Sequence, residues 1–373
     1  MTDLRRLLQH YVGDGSLPGA VAAVARGDEV AVVAAGSVDV DGTAPMTRET
    51  IFRIASLTKP IMAAAVLMLV DDGVLALDDP ISRLLPELAE PVVVRTPASP
   101  VDDVVPVSRP VTVFDVLTSQ AGWGFASDFG LPAVQALFPV QPDGREVRSF
   151  PPVDEWLAAL ARVPLLYQPG ESWLYDTCSA IQGVLVARAS GGSLPDFLAE
   201  RLFAPLGMID SGFTVPAATR DRFTSFYKAG QDGLILADAP DGQWATEPAF
   251  PLGSGGLTGT VDDLLAFNRM LLAGGDPVLS PESVRLMTTD HTTAAHREIG
   301  ALFLDGDGWG MGGSVVGSRY GWVGGTGTSA HVDLAEGTVA ILLTQVGADS
   351  PEAPDWMREF WRLTRDLANK QTT

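Results

Sequence analysis

The sequence predicts an α+β fold: an antiparallel sheet flanked by N- and C-terminal helices, with a mostly helical region inserted between its halves. Three observations predict it. Near the start, AVAAVARGDEVAVVAAG (Ala20 to Gly36) reads as two β-rich runs flanking a turn, a plausible hairpin. Near the end, GWVGGTGTSAHVDLAEGTVAILLTQ (Gly321 to Gln345) gives two apolar or alternating runs around LAEGT, a second hairpin. Between them helix-period segments dominate, and no strand-helix-strand rhythm of a parallel sheet is visible.

Taken in order, MTDLRRLLQHYVGDGSLPG reads as a short amphipathic helix and lacks the apolar core and small-residue cleavage site of a secretory signal. Folding is therefore expected to begin with the first residues. The longest apolar run, PIMAAAVLMLV (Pro60 to Val70), is about a dozen residues, short of the ~20 that span a bilayer, and reads as a buried helix. Helical periodicity follows over Val111 to Thr118, Val153 to Arg162, Tyr175 to Ala189, Leu194 to Phe203 and Val261 to Leu272. The proline-rich stretches RTPASPVDDVVPVSRP and FPVQPDGREVRSFPP read as surface loops or the rim of a cleft, and APDWMREFWRLTRDLANK as an amphipathic C-terminal helix.

Composition narrows the function. With 46% hydrophobic residues the chain can bury a large core. A formal charge of −21 excludes nucleic acid and anionic membrane as expected partners, because both need a basic face. The lone cysteine, Cys178, allows no internal disulfide, so a reducing, cytoplasmic location is expected. It lacks a partner histidine and reads as a small buried residue. His291 and His296 are spaced unsuitably for a zinc site on one helix face, and His331 reads as a strand residue.

The chemistry-bearing residues start with a rarity. Lys59, Lys228 and Lys370 are the only lysines, so arginine supplies nearly all the positive charge. Guanidinium keeps its proton in proteins, whereas a desolvated ammonium can lose one. Lys59 is therefore either a base or a solvated residue at a helix start. Ser56 lies three residues before it in FRIASLTKP, on the same face of a helix, and could receive oxyanion support from the helix N-terminus. Pro60 biases Lys59 away from helical geometry, and S-x-x-K alone is a weak signal. In PGESWLYDTCSAIQG, Tyr175 reads as a proton relay or as an aromatic packed beside Trp173. GWVGGTGTS reads as a strand that approaches a ligand closely or as a glycine-rich turn. A Ser-His-Asp hydrolase would need G-x-S-x-G, which is absent.

Together SLTK, PGESWLYDT and GWVGGTGTS, in this order, resemble the serine β-lactamase and penicillin-binding-protein superfamily, nearest its class C-like branch and the family VIII carboxylesterases. VFDVLTSQAGW and PLGSGGLTGTVDDLLAFNRMLL extend the resemblance over nearly the whole chain. It implies a β-lactamase/transpeptidase-like fold with residues 1–78 and 208–373 in a sheet domain and 79–207 in a helical domain. It implies Ser56 as acylated nucleophile, Lys59 and Tyr175 as proton-transfer groups, and the backbone N–H groups of Ser56 and Gly325 as oxyanion hole. Trp322, Gly324, Thr177, Gln120 and Trp123 would contact substrate, and no cofactor is implied.

Two departures from the family pattern bear on the substrate. Thr177 stands where the Y-x-N element has asparagine, and Trp322 where lactamases and peptidases carry a cation for a substrate carboxylate. Loss of such a charge-assisted hydrogen bond forfeits about 1.5–3 kcal/mol. Trp123, Phe125, Phe129, Trp173, Trp244 and Trp309 fall in segments that either rim the site or pack in the core. The expected activity is hydrolysis of small carboxylic esters, with transfer of the acyl group to another acceptor, or amide and lactam hydrolysis, as alternatives.

Overall fold

The computed structural model describes residues 2–231, 233–348, 350 and 352–370, the last five by backbone alone, so the Lys370 side chain and Met1 lie outside the described residues. In chain order the elements that build the site are α1 (Thr2–Gly13), β1 (Gly19–Arg26), β2 (Glu29–Gly36), α2 (Thr58–Asp71), α3 (Thr177–Ser190) and α4 (Val261–Leu272). Then come β3 (Gly308–Trp309), β4 (Ser314–Val316), β5 (Arg319–Gly324), β6 (Thr328–Asp333), β7 (Thr338–Thr344) and α5 (Asp355–Lys370). Among the described residues seven strands form one antiparallel sheet in the order β2-β1-β7-β6-β5-β4-β3. The expected α+β architecture is the one observed.

The two ends of the chain meet at the middle of that sheet, where Ala20 pairs with Thr344 and Arg26 with Thr338. Alternation along the strands then decides the layers. Ala20 and Ala22 face Leu4, Leu8, Trp356 and Phe360 of α1 and α5, while Val21, Ala23, Ile341 and Leu343 join the larger core on the other side, with Ile61, Val66 and Leu264 of α2 and α4. Alanine at three of these inward positions lets the helices lie close to the sheet.

Thr58 to Leu69 of α2 are all buried, because this helix is apolar around its whole circumference and is covered by α3 and by the helix Pro281–Met287. Pro60 falls in its first turn, where proline costs no hydrogen bond, so Lys59 stays helical. α4 begins at a reciprocal cap: Asp263 N–H donates to Thr260 Oγ1 and the Thr260 N–H to the Asp263 carboxylate.

The structure corrects the sequence reading in three places. The run read as one strand from Gly321 is two, β5 and β6, joined by a tight turn in which Gly327 adopts φ 86°. A residue with a side chain is disfavoured in that conformation. Part of the first proline-rich loop is a two-stranded ribbon, Val92–Val94 against Val104–Pro106. A further hairpin, Phe226–Gly230 with Gly233–Asp238, carries too little alternation to have been predicted. None of the described helices is long and apolar enough to cross a membrane.

Candidate active site

Ser56 sits in a 3₁₀ turn, Ala55–Leu57, that leads into α2. The residue before it, Ala55, has φ 45°, a left-handed conformation costing a non-glycine residue roughly 1–2 kcal/mol. Surrounding structure holds it there. The guanidinium of Arg53 is buried, bonded to the Asp238 carboxylate and to the Thr224 carbonyl, and lies 4.0 Å from the centre of the Phe223 ring. Burial pushes its pKa down to about 10, against the pull of Asp238. Thr326 Oγ1 donates to the Arg53 carbonyl at 2.6 Å and Thr328 Oγ1 to the Ile54 carbonyl at 3.1 Å. The two threonines of the β5–β6 turn thus staple the segment before Ser56 to the sheet.

Two side chains converge on the Ser56 hydroxyl, and a third holds one of them. Lys59 Nζ is 2.9 Å away and Tyr175 Oη 3.0 Å, and Trp322 Nε1 donates to Tyr175 Oη at 3.0 Å. Tyr175 is oriented by a backbone bridge, with N–H to Phe125 O at 2.9 Å and O from Phe125 N–H at 3.0 Å. Its ring stacks on Phe303, centroids 4.5 Å apart. Trp322 in turn meets Trp309 edge to face at 4.7 Å.

Lys59 Nζ has three donors and three close acceptors: Ser56 Oγ, Asp176 Oδ1 at 2.7 Å and the Ser254 carbonyl at 2.6 Å. Burial alone would push its pKa down, but the Asp176 carboxylate and the Tyr175 oxygen outweigh that, and the net shift is upward. Of the two sequence readings of Lys59, a base or a solvated residue, the solvated one is corrected, because the side chain is buried. Lys59 is an ammonium held by a neighbouring anion, and all three of its hydrogens are engaged.

Sequence reasoning left Asp176 unassigned although it adjoins Tyr175. It adopts φ 78°, which turns its carboxylate back onto Lys59, and its second oxygen accepts from Gln141 Nε2 at 2.7 Å. An acidic residue directly after Tyr175 was the available signal. Gln141, in the second proline-rich loop, offered none.

The remaining candidates divide. Gly324 lies against the nucleophile's turn: a Cβ there would sit 2.5 Å from the Ile54 carbonyl oxygen and 3.4 Å from Ala55 Cβ. Gly325 follows it, with its carbonyl accepting from Ala348 N–H and from Arg145. Thr177, Gln120 and Trp123 take no part in the hydrogen-bonded group around Ser56. Thr177 Oγ1 is buried with no partner among the described residues, Gln120 Nε2 donates to the His291 carbonyl, and Trp123 Nε1 donates to the Val163 carbonyl. Trp244 packs beside Arg53, while Trp173 and Trp309 back the Tyr175–Trp322 pair. Phe129, 38% exposed, and Phe138, 41% exposed, extend the aromatic wall outward from Phe125 and Phe303. Cys178 is buried, and burial pushes its thiol up to about 12, which removes it as a nucleophile. Among the described residues no group of three or more His, Cys, Asp or Glu side chains could hold a metal ion.

This arrangement has counterparts. The Beta-lactamase family model matches residues 4–360. The chain is 36% identical over 353 residues to the Mycobacterium tuberculosis protein Rv1367c, covering 89% of this chain and 86% of that one. It is 33% identical over 371 residues to esterase EstB of Burkholderia gladioli, covering 91% and 88%. Among solved structures, EstCE1, described as a hydrolase with promiscuous acyltransferase activity, superposes with a TM-score of 0.81 at 23% identity, over 96% of this chain and 97% of that one.

Proposed function

Since the chain belongs to the Beta-lactamase family and is a serine hydrolase or acyltransferase of that type, we propose that it cleaves uncharged carboxylic esters through an acyl-enzyme on Ser56. The observation that carries this reading is the hydrogen-bonded series Lys59, Ser56, Tyr175, Trp322. Because Lys59 is fully engaged as a donor, the atom left to take the serine proton is Tyr175 Oη, in its deprotonated form. Ser56 Oγ attacks the ester carbonyl carbon as its proton passes to Tyr175, and the resulting oxyanion is met by the N–H groups of Ser56 and Gly325. The tetrahedral intermediate expels the alcohol oxygen, which takes the proton from Tyr175. Water then gives a proton to Tyr175 and its oxygen to the acyl carbon. Ser56 leaves with that proton, and the carboxylic acid departs. Lys59 stays charged throughout and holds Ser56 in line.

The substrate class follows from the walls. Trp322 offers Tyr175 a hydrogen bond and puts an uncharged indole where a cation would select a carboxylate. Phe125, Phe129, Phe138 and Phe303 add apolar surface suited to an uncharged acyl or alcohol group. The proposed partner is accordingly a small-molecule ester, and the proposed location is the cytoplasm, in keeping with the single buried cysteine. Transfer of the acyl group to an alcohol is the second reading, favoured by the acyltransferase activity ascribed to EstCE1.

Short-chain p-nitrophenyl esters test the proposal. The protein should release nitrophenolate and gain one acyl mass. Ser56→Ala should lower the rate by at least about a thousandfold and take up no acyl group. Hydrolysis undiminished in that variant, or nitrocefin turned over faster than any ester, would overturn it. Product ratios with added alcohol separate hydrolysis from transfer.

A further inference from the structure

On the face of the sheet covered by α1 and α5 lies a cavity of about 380 Å³, remote in the fold from Ser56. That volume is within the roughly 300–1,000 Å³ typical of small-molecule sites. Leu4, Val24 and Trp361 supply apolar walls, and Arg319, His331 and Arg365 supply donors.

Two of these donors, on Arg319 and His331, have no acceptor among the described residues. Arg319 is largely buried, yet it makes no hydrogen bond or ion pair among the described residues. Burial, helped by nearby Arg365 and opposed by Asp307 and Asp333, lowers its pKa. The other charged groups lining the cavity are mostly committed. Arg26 pairs with Glu336 at 3.6 Å, and Asp333 Oδ1 accepts from Ser318 Oγ and from the N–H groups of Ala335 and Glu336. Glu29 lies out on the β1–β2 hairpin and is exposed.

His331 adds a directional argument. Its ring meets Trp361 edge to face at 5.8 Å, and Ser329 Oγ, which accepts the Trp361 indole N–H at 2.8 Å, lies 3.2 Å from His331 Nδ1. A hydroxyl that has accepted one hydrogen bond has its own hydrogen to give, and Nδ1 is its neighbour. The ring hydrogen of the neutral imidazole therefore sits on Nε2, which finds no acceptor among the described residues. Burial first, and then Arg319 and Arg365, hold the ring neutral by lowering its pKa well below the ordinary value.

A largely buried guanidinium and an imidazole N–H, both without acceptors among the described residues, beside the exposed guanidinium of Arg365 on one cavity in a chain of net charge −21, call for a specific complement. We propose that this cavity is a binding site for a small amphiphilic monocarboxylate, its carboxylate on Arg319, Arg365 and His331 and its hydrocarbon tail along Leu4, Val24 and Trp361. Guanidinium presents paired donors that match a carboxylate's two oxygens, and the indole and aliphatic walls match a short tail. The inference is independent of the ester-hydrolase reading.

Calorimetric titration of the full chain tests it, with Ser56 first blocked by a fluorophosphonate, or with Ser56→Ala should the block not form. The probes are octanoate, 1-octanol and inorganic phosphate. Octanoate should bind saturably at one site per chain. Arg319→Gln and Arg365→Gln should each weaken it about tenfold or more, in line with loss of a charge-assisted contact. Arg319→Lys keeps the charge but not the paired donors, so it should bind more tightly than Arg319→Gln and more weakly than the unaltered chain, and ester turnover of the unblocked arginine variants should be unchanged. Arg365 is exposed, so its variant reads the site even if Arg319→Gln misfolds. No octanoate binding up to about 10 mM, equal affinity for 1-octanol, phosphate binding as tight as octanoate, or full affinity in Arg365→Gln would each overturn the proposal.

Discussion

At the scale of single residues, the decisive pair is Lys59 and Asp176. A buried ammonium needs an anion, and Asp176 provides one at 2.7 Å while Ser254 O and Ser56 Oγ take the remaining hydrogens. Asp176→Asn isolates the charge, since asparagine tolerates positive φ as aspartate does. With the carboxylate gone, burial dominates and the Lys59 pKa falls from its raised value, so the ammonium is lost at lower pH. The alkaline limb of the kcat/KM profile should therefore move downward in pH, and kcat/KM at pH 8 should fall by about tenfold or more. A superimposable profile would show that the Asp176 charge does not set the state of Lys59. The sequence made Ser56, Lys59, Tyr175 and Trp322 legible because each carries a functional group in a motif of fixed spacing. It hid Asp176 and Gln141, because their role depends on a backbone reversal at one residue and on a loop that folds back from 35 positions away. Thr177, which the family resemblance puts in an asparagine's place, is turned into the protein and its hydroxyl is buried.

At the scale of elements, β5 and its turn matter as much as the side chains they carry. The β5 end at Gly324 presses on Ile54 and Ala55, and Thr326 and Thr328 bond the carbonyls of Arg53 and Ile54. Gly324→Ala would force a methyl against the Ile54 carbonyl and, closer still, Thr328 Oγ1. Urea unfolding should report a loss of about 1–3 kcal/mol, as for other overpacked sites. The kcat should drop about tenfold or more through displacement of Ser56, whereas unchanged kcat in a folded variant would uncouple the turn from the nucleophile. Helices were the more readable elements: α4 runs over Val261–Leu272, the span its periodicity predicts, because a capping threonine and an apolar stripe mark it locally. Short strands such as β3 and β4 were not, because two or three residues leave no period to detect and their pairing is settled by distant partners.

For the molecule as a whole, the α+β layering was legible because the apolar runs at the two ends alternate and the middle does not. The −21 charge acts on any ligand approaching in solution, over a distance set by salt: the screening length shrinks from about 30 Å at 0.01 M to about 8 Å at 0.15 M. An ester bearing a free carboxylate, such as p-nitrophenyl succinate, should therefore gain severalfold in kcat/KM over that range, roughly, while p-nitrophenyl butyrate changes less than about twofold. Equal salt responses would mean that the site's own surroundings, and not the overall charge, govern entry. One consequence of β1 pairing with β7 concerns assembly on the ribosome. β1, finished at residue 26, waits for a neighbour that begins at residue 338, so its inner edge stays unpaired until that later segment has been made. Such long sequence separation slows folding and leaves an adhesive border on the nascent chain, which makes the closing strand the step at which newly made molecules are most open to chaperones and to one another.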